Sequence, residues 1–488
     1  MPDKGSRFIV FAVRFIASLA LWLALGQTAA QTPSDFPAAF KRGIQALAAG
    51  QLDVAEAALN EAQRLEPRNA EVYFYLAQVY TDRRQFGEAV VNFRQAIRLE
   101  PHGVQSFLRL AVLYTQLQRF YDAQRTLKEL LRVRPDYADS YLLLGRVAQE
   151  QGDHALAEQH FRHYLKLRPG NTEGLSQLGV TLLAEEKYAE AESRLKQALE
   201  HNSALGAAQY NLGLLYSRRG KDLQAKSCLE AATRLLPGSA QAHYELATVL
   251  VRLHDLTEAE PNFRKALNQD PNYVEALYAL GTLLRQTGRA EEATRVIAEY
   301  DRLSSAALKN RERGRRTSAY FWEVKDLLEH DQLEEADTKL HEILELEPQN
   351  DLAYYRLGQI FYLRHEYERA LESVRVALGQ KEFEPAYYML EAMCLERLER
   401  DPEAATAYER LVSLVDYPDA YLALGRLELR RGNVSKAVAE LRRAVALEPR
   451  NPELRLALAE ALEKAGNLAE SRKQRTQAEA LQGKSNLH

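Results

Sequence analysis

Three tyrosines and three arginines recur at a spacing that could form a binding surface. The tyrosines are 34 residues apart and an arginine follows each by seven or eight residues, giving the pairs Tyr210 and Arg218, Tyr244 and Arg252, and Tyr278 and Arg285. On a helix this separation places ring and guanidinium on one face. Rings supply contact area and arginine supplies forked donors to carboxylates and carbonyls, which suits a peptide ligand. The alternative interpretation is that the tyrosines only pack against neighbouring helices, with their hydroxyls in water.

No arrangement of residues typical of catalysis is found in the sequence. It contains no Gly-rich phosphate loop, no His-Glu-x-x-His helix, no Cys-x-x-Cys pair and no Gly-x-Ser-x-Gly elbow. His160 and His163 are three residues apart and could in principle share a metal ion, but no third ligand motif lies nearby. We therefore expect no enzymatic activity, no metal site and no cofactor.

The composition excludes several other classes of protein. The 488 residues are 46% hydrophobic and 27% charged, which provides a folded core and gives no case for disorder. A net charge of −4 argues against a partner such as nucleic acid, held by bulk electrostatics. The two cysteines, Cys228 and Cys394, cannot build a disulfide framework, and we expect free buried thiols. Tyrosine, with 25 residues, is unusually abundant.

The first 30 residues are predicted to be a secretory signal. Lys4 and Arg7 precede an apolar stretch, residues 15–25, and small residues follow it up to Ala30, where we expect cleavage. The mature protein would then be periplasmic or secreted. The alternative is an uncleaved inner-membrane anchor from Phe8 onward, but Arg14 lies inside that run and would be costly near the middle of a bilayer. A membrane contact is expected only in that case.

Two series of residues share a period of 34. The prolines of the first series are Pro67, Pro101, Pro135, Pro169, Pro237 and Pro271. Alanines stand twelve residues before these prolines and continue beyond them: Ala55, Ala89, Ala123, Ala157, Ala191, Ala225, Ala259, Ala293, Ala336, Ala370, Ala404 and Ala437. A fixed period of this length indicates a repeat architecture rather than a single closed core.

Each repeat carries two amphipathic patterns. One first helix has the apolar stripe Tyr73, Leu76, Ala77 and Tyr80, and a second stripe begins at Ala89. The closing proline cannot continue the second helix. Small residues occupy the place where the two helices would cross closely: Ala77, Gly145, Gly179, Gly213, Gly281, Gly358 and Gly425. One such pair cannot bury its apolar face alone, so neighbouring pairs must stack.

This spacing and residue set resembles the tetratricopeptide repeat family. The resemblance implies an all-α solenoid, a right-handed superhelix of antiparallel helix pairs in which the first helix of each pair lines a concave groove. We count thirteen repeats, eight in residues 36–307 and five in residues 317–484. The last repeat, with Ser471 and Arg475 at usually apolar places, is expected to present a polar outer face as a cap. Glu428 also occupies an expected apolar place.

The nine residues 308–316 between the blocks carry five basic side chains. A charge run of this kind is usually an extended, solvated helix or linker. The functional alternative is a basic docking spot or a hinge between two sub-superhelices.

Ligand contacts are expected at the residue one place after the first apolar position of each first helix. Together with the arginines, the predicted groove set is Phe74, Tyr210, Tyr244, Tyr278, Phe321, Tyr355, Arg218, Arg252 and Arg285. The Lys/Asn/Arg carboxylate clamp of chaperone-binding members is absent, because the corresponding places hold Phe40, Ile44, Phe74 and Gln78. The resemblance implies a non-catalytic scaffold that binds a protein or peptide segment. The alternative is a periplasmic scaffold for carbohydrate in polysaccharide synthesis or export, with tyrosines stacking on sugar rings.

Overall fold

The computed structural model describes residues 35–485, with side chains described up to residue 482. These residues form 25 α-helices and no strand, which confirms the all-α prediction. They divide into two compact units, one ending at Glu100 and one beginning at Pro101. The predicted signal segment, residues 1–30, lies outside the described residues.

The helices alternate regularly along the chain. Those of the first unit are α1 (Phe36–Ala48), α2 (Leu52–Leu65), α3 (Ala70–Asp82) and α4 (Phe86–Leu99). The second unit begins with α5 (Val104–Gln116), α6 (Phe120–Val133), α7 (Ala138–Glu150), α8 (His154–Leu167), α9 (Thr172–Ala184), α10 (Tyr188–His201), α11 (Gly206–Arg218), α12 (Asp222–Leu235), α13 (Ala240–Arg252), α14 (Leu256–Gln269), α15 (Val274–Gln286) and α16 (Ala290–Glu329). It continues with α17 (Leu333–Leu346), α18 (Asp351–Leu363), α19 (Tyr367–Gln380), α20 (Pro385–Arg397), α21 (Asp401–Leu414), α22 (Pro418–Arg430), α23 (Val434–Leu447), α24 (Pro452–Lys464) and α25 (Leu468–Ser485).

Short turns fold consecutive helices into antiparallel pairs. Each turn reverses the chain through one residue in the left-handed region, such as Gly152 at φ 74° or Arg84 at φ 60°. Many of the abundant tyrosines fasten one pair to the next. The hydroxyl of Tyr141 donates a 3.1 Å hydrogen bond to the carbonyl of Pro135, the closing proline of the preceding pair. The sequence period therefore corresponds to one helix pair.

The alanine series forms the crossing points of the core. All twelve alanines are buried, and none is more than 3% exposed. The predicted small residues lie opposite large side chains of the second helix in the pair. A Cβ added at Gly145 would lie 2.5 Å from the ring of Phe161, and one added at Gly425 would lie 2.5 Å from Leu441. These distances leave no room for a larger side chain at either glycine.

One helix replaces two in the middle of the second unit. Helix α16 is 40 residues long and packs against α15 near its beginning and α17 near its end. The basic residues 308–316 lie within it, and nearly every side chain there is exposed. The segment is therefore a continuation of helix rather than a loop.

Two polar residues occupy buried places. Glu428 is fully buried, and its carboxylate accepts hydrogen bonds from Arg431 (2.9 Å), Asn433 (2.6 Å) and Lys436 (3.0 Å). Burial raises the pKa of Glu428, but these donors prevail and hold it below its ordinary value. Ser471 does not lie on an outer face as expected. It is 3% exposed because its hydroxyl donates to the carbonyl of Ala459 at 2.8 Å.

Candidate functional site

The predicted groove tyrosines of α11 and α13 are largely packed into the protein. The ring of Tyr244 lies 4.9 Å from the ring of Tyr273, at the start of α15, and 6.0 Å from that of Phe263. Burial, with a smaller contribution from the charge of Glu245, raises the pKa of Tyr210 to about 12. The packing interpretation therefore describes Tyr210 and Tyr244 better than a ladder of free rings does.

Tyr278 and Phe74 have different surroundings. Tyr278 is 56% exposed, and its ring lies 5.2 Å from that of Tyr300 on α16. Phe74 lies in the first unit, half-buried, with its ring 5.9 Å from the ring of Phe93 on α4. Tyr278 is thus the tyrosine of the predicted series that presents most of its side chain to solvent.

The three predicted arginines are not equivalent. Arg252 donates to the carboxylate of Asp222 at 2.7 and 3.0 Å and to the hydroxyl of Ser217 at 2.7 Å. Its forked donors are therefore engaged within the protein, contrary to the expectation that they would be offered to a ligand. Arg218 and Arg285 are exposed and make no hydrogen bond or ion pair with the residues that the structure describes.

A carboxylate missed in the sequence lies among these residues. Glu245 follows Tyr244 on α13 and is partly buried, which raises its pKa, whereas the charges of Arg252 and Arg218 lower it. An acidic residue beside the tyrosine series was the available signal. Because of it, this part of the first-helix face is not purely cationic.

A larger site is formed by the first helices of the following pairs. A cavity of about 740 Å³ lies between the end of α16 and helices α18, α20 and α21. Its lining includes Leu328, Tyr355, Gln359, Tyr362, Leu363, Glu384, Pro385, Ala386, Met389, Leu390, Met393, Leu411, Val415 and Tyr417. Most of these side chains are apolar or aromatic, and the volume is that of a typical ligand site.

Two further cavities share walls with this one. A cavity of about 650 Å³ shares Leu328 and is lined by Ser318, Phe321, Trp322, Val324, Lys325, Glu329, Leu352 and Arg356. A polar cavity of about 640 Å³ shares Tyr362 and Met393 and is lined by Glu396, Arg397, Glu399, Asp401 and Arg430. We call the three together the C-terminal groove. It is apolar along most of its length and charged at one end.

The 34-residue register relates the residues of this groove. Phe321, Tyr355 and Met389 occupy the same place in successive first helices. The sequence prediction included the first two and missed Met389, because only aromatic residues were sought there. The signal was composition: the chain has three methionines, and Met389 and Met393 lie one turn apart on α20. Flexible thioether side chains adapt to varied apolar ligands.

Most charges in the groove are neutralised internally. Arg430 donates to Glu396 at 2.5 Å and lies 3.6 Å from Asp401. Arg397 donates to the hydroxyl of Tyr362 at 3.2 Å. The charged end therefore offers hydrogen-bonding groups without a large excess charge.

The residues considered for metal or thiol chemistry are placed as follows. The ring of His163 stacks on that of Tyr141 at 4.0 Å. Within residues 35–485, no group of three His, Cys, Asp or Glu side chains is arranged to hold a metal ion. Cys228 and Cys394 are free thiols, and burial raises the pKa of Cys394 to about 12.

None of the helices described is both long enough and apolar enough to cross a membrane.

The fold defines an α-solenoid of stacked helix pairs. Models of the tetratricopeptide repeat match residues 40–104, 104–170, 210–259, 244–307, 323–385 and 418–461. These segments cover most of the chain, so the chain belongs to the tetratricopeptide repeat family. No functionally curated protein matches it.

Solved structures with the same type of fold include three bacterial examples or relatives. A tetratricopeptide repeat protein from Parabacteroides merdae is 19% identical, and the match covers 51% of this chain and 98% of that one with a TM-score of 0.42. MamA from Desulfovibrio magneticus is 20% identical over 35% of this chain and 96% of its own, with a TM-score of 0.32. YrrB, a repeat protein with an unusual peptide-binding site, is 23% identical over 38% and 96%, with a TM-score of 0.32. These similarities concern the type of fold alone.

Proposed function

We propose that this protein is a non-catalytic scaffold that binds a protein segment in the C-terminal groove. The observation that carries the proposal is the cavity of about 740 Å³ lined by Tyr355, Met389 and Met393. It lies on first helices, the place that the repeat family implies for ligands, and its apolar lining suits side chains of a peptide.

A protein ligand agrees better with this groove than a carbohydrate does. Sugar stacking needs rings with free faces, whereas the rings of Tyr210 and Tyr244 are packed against the protein. The cavity instead offers thioether and aliphatic side chains, such as Met389 and Leu411, which gain free energy by covering apolar groups.

Binding can be tested with a displayed library of random 16-residue peptides and the full chain as bait. We expect the wild-type chain to enrich a set of peptides that Met389→Glu no longer retains, because a carboxylate in the cavity opposes apolar burial. Leu223→Glu is the matched control, since Leu223 is a highly exposed apolar residue on a second helix, α12. Equal enrichment by all three proteins would place binding elsewhere and refute the proposal.

We also propose that the protein is exported and acts in the periplasm or outside the cell. The basic residues Lys4 and Arg7, the apolar stretch and the small residues before Gln31 support this. N-terminal sequencing of the protein from its native host should begin at Gln31. A chain that retains its first residues would instead favour the anchored alternative.

A further inference from the structure

The exposed part of α16 leads directly into the C-terminal groove. Arg311, Arg315, Ser318 and Trp322 are separated by four, three and four residues, the spacing of one stripe on a helix. Ser318 and Trp322 line the cavity of about 650 Å³. The same stripe that forms the wall of this cavity therefore carries two arginines just beyond it.

These arginines carry charge that the protein does not neutralise. Arg311 and Arg315 are exposed and form no hydrogen bond or ion pair with any residue in the described range. In the groove itself, by contrast, Arg430 is paired with Glu396, and Lys325 lies 3.7 Å from Glu329. The end of the groove at α16 thus has an excess of positive charge beside an apolar surface that includes Trp322, which is 71% exposed.

We propose that the protein segment bound in the C-terminal groove carries acidic residues directly beside its apolar residues, and that its carboxylates bind Arg311 and Arg315. The inference rests on the proposed function and adds the chemistry of the partner. Arginine suits this role because its planar guanidinium donates two parallel hydrogen bonds to one carboxylate. An acidic polysaccharide would satisfy the arginines but leave the apolar cavities uncovered.

The distance along the helix fixes where the acidic residues must stand. Arg315 and Trp322 are seven residues apart, about 10 Å at the helical rise. An extended peptide covers about 3.3 Å per residue. The first carboxylate should therefore lie about three residues from the last side chain that enters the apolar cavity.

The test uses the same library of random 16-residue peptides. Peptides retained by the wild-type chain should contain an apolar cluster with Asp or Glu about three residues away, and added salt should weaken their binding. The double variant Arg311→Ser, Arg315→Ser should bind these peptides about five-fold less tightly at low salt, as expected for two exposed ion pairs.

The control changes the same charge on the other side of the helix. Lys309 and Arg313 are each two residues from the proposed arginines, about 200° around α16, and are also exposed. Lys309→Ser, Arg313→Ser should bind the selected peptides as the wild-type chain does. If the peptides depend on Met389 but show no acidic enrichment, or if both double variants weaken binding equally, the inference is wrong while the proposed function stands. If no peptide depends on Met389, the proposed function itself fails.

Discussion

Arg119 and Phe383 are 264 positions apart in the chain, yet a guanidinium nitrogen of Arg119 donates a 2.8 Å hydrogen bond to the carbonyl of Phe383. The guanidinium also lies 5.9 Å from the centroid of the Phe383 ring. Phe383 precedes Glu384 and Pro385, which line the cavity of about 740 Å³. The turn between α5 and α6 therefore holds one edge of the C-terminal groove.

Removing this contact should loosen that edge. In Arg119→Ala, we expect the backbone amides of residues 381–384 to exchange with solvent about ten-fold faster, because a hydrogen bond from a charged group is lost. Hydrogen-exchange mass spectrometry would measure the change. Arg125→Ala is the control, since Arg125 also pairs with Asp122, at 3.1 Å, but is not bonded to Phe383. The same exchange rates in both variants would show that the contact does not hold the loop.

Two glycines should respond in opposite ways to substitution by alanine. Gly145→Ala places a Cβ 2.5 Å from the fully buried ring of Phe161, and we expect a loss of about 1–3 kcal/mol in unfolding free energy. Gly314→Ala meets no atom within 4 Å on the exposed part of α16 and should gain about 1 kcal/mol from helix propensity. Urea denaturation followed by circular dichroism measures both. A gain at Gly145 would contradict the close crossing of α7 and α8.

The buried carboxylate of Glu428 should be important for the stability of α22 and α23. Glu428→Ala removes the acceptor shared by Arg431, Asn433 and Lys436, and we expect it to cost about 2–3 kcal/mol. Glu428→Gln keeps one acceptor oxygen and should cost less. Thermal unfolding of the two variants provides the comparison, and an equal loss in both would mean that volume rather than hydrogen bonding matters at this place.

Acid should destabilise the protein partly through Glu158. Hydrogen bonds, first from Lys187 and then from Arg162, lower the pKa of Glu158 from 4.5 to about 2. Because the folded pKa is below the unfolded one, the unfolded chain binds the proton more tightly between these values. This contribution to stability is complete above about pH 4.5 and is lost as the pH falls towards 2.

The variant Glu158→Gln should therefore show a smaller fall in melting temperature between pH 5 and pH 2.5 than the wild-type chain. Glu291→Gln is the control, because Glu291 is exposed and forms no ion pair in the described part of the chain. Parallel melting curves for the wild-type chain and Glu158→Gln would rule out this linkage.

The sequence was sufficient for the helix pairs because their packing repeats locally. A close crossing such as that of Gly145 with Phe161 needs a small residue at the same place in each pair, so the pattern appears in the sequence. The bond between Arg119 and Phe383 was not predictable, since it depends on rotations that add up over several pairs. No local pattern records that sum.

The site was only partly predictable for a related reason. Register placed Tyr355 on the first-helix face, where it lines the large cavity. Register does not say what covers a ring, and Tyr244 is covered by Tyr273, a residue that belongs to the start of the next pair. Met389 shares the register of Tyr355, but its apolar side chain could not be distinguished from a core residue without the structure.

The uninterrupted helix α16 makes chain length a determinant of geometry in this protein. A flexible connection would absorb an insertion, whereas each residue added to a continuous helix turns everything after it by about 100° and advances it by about 1.5 Å. Residues 308–316 therefore act as a phase setting between the helix pairs before and after them. Single-residue insertions or deletions there should be far less tolerated in evolution than substitutions of the exposed side chains.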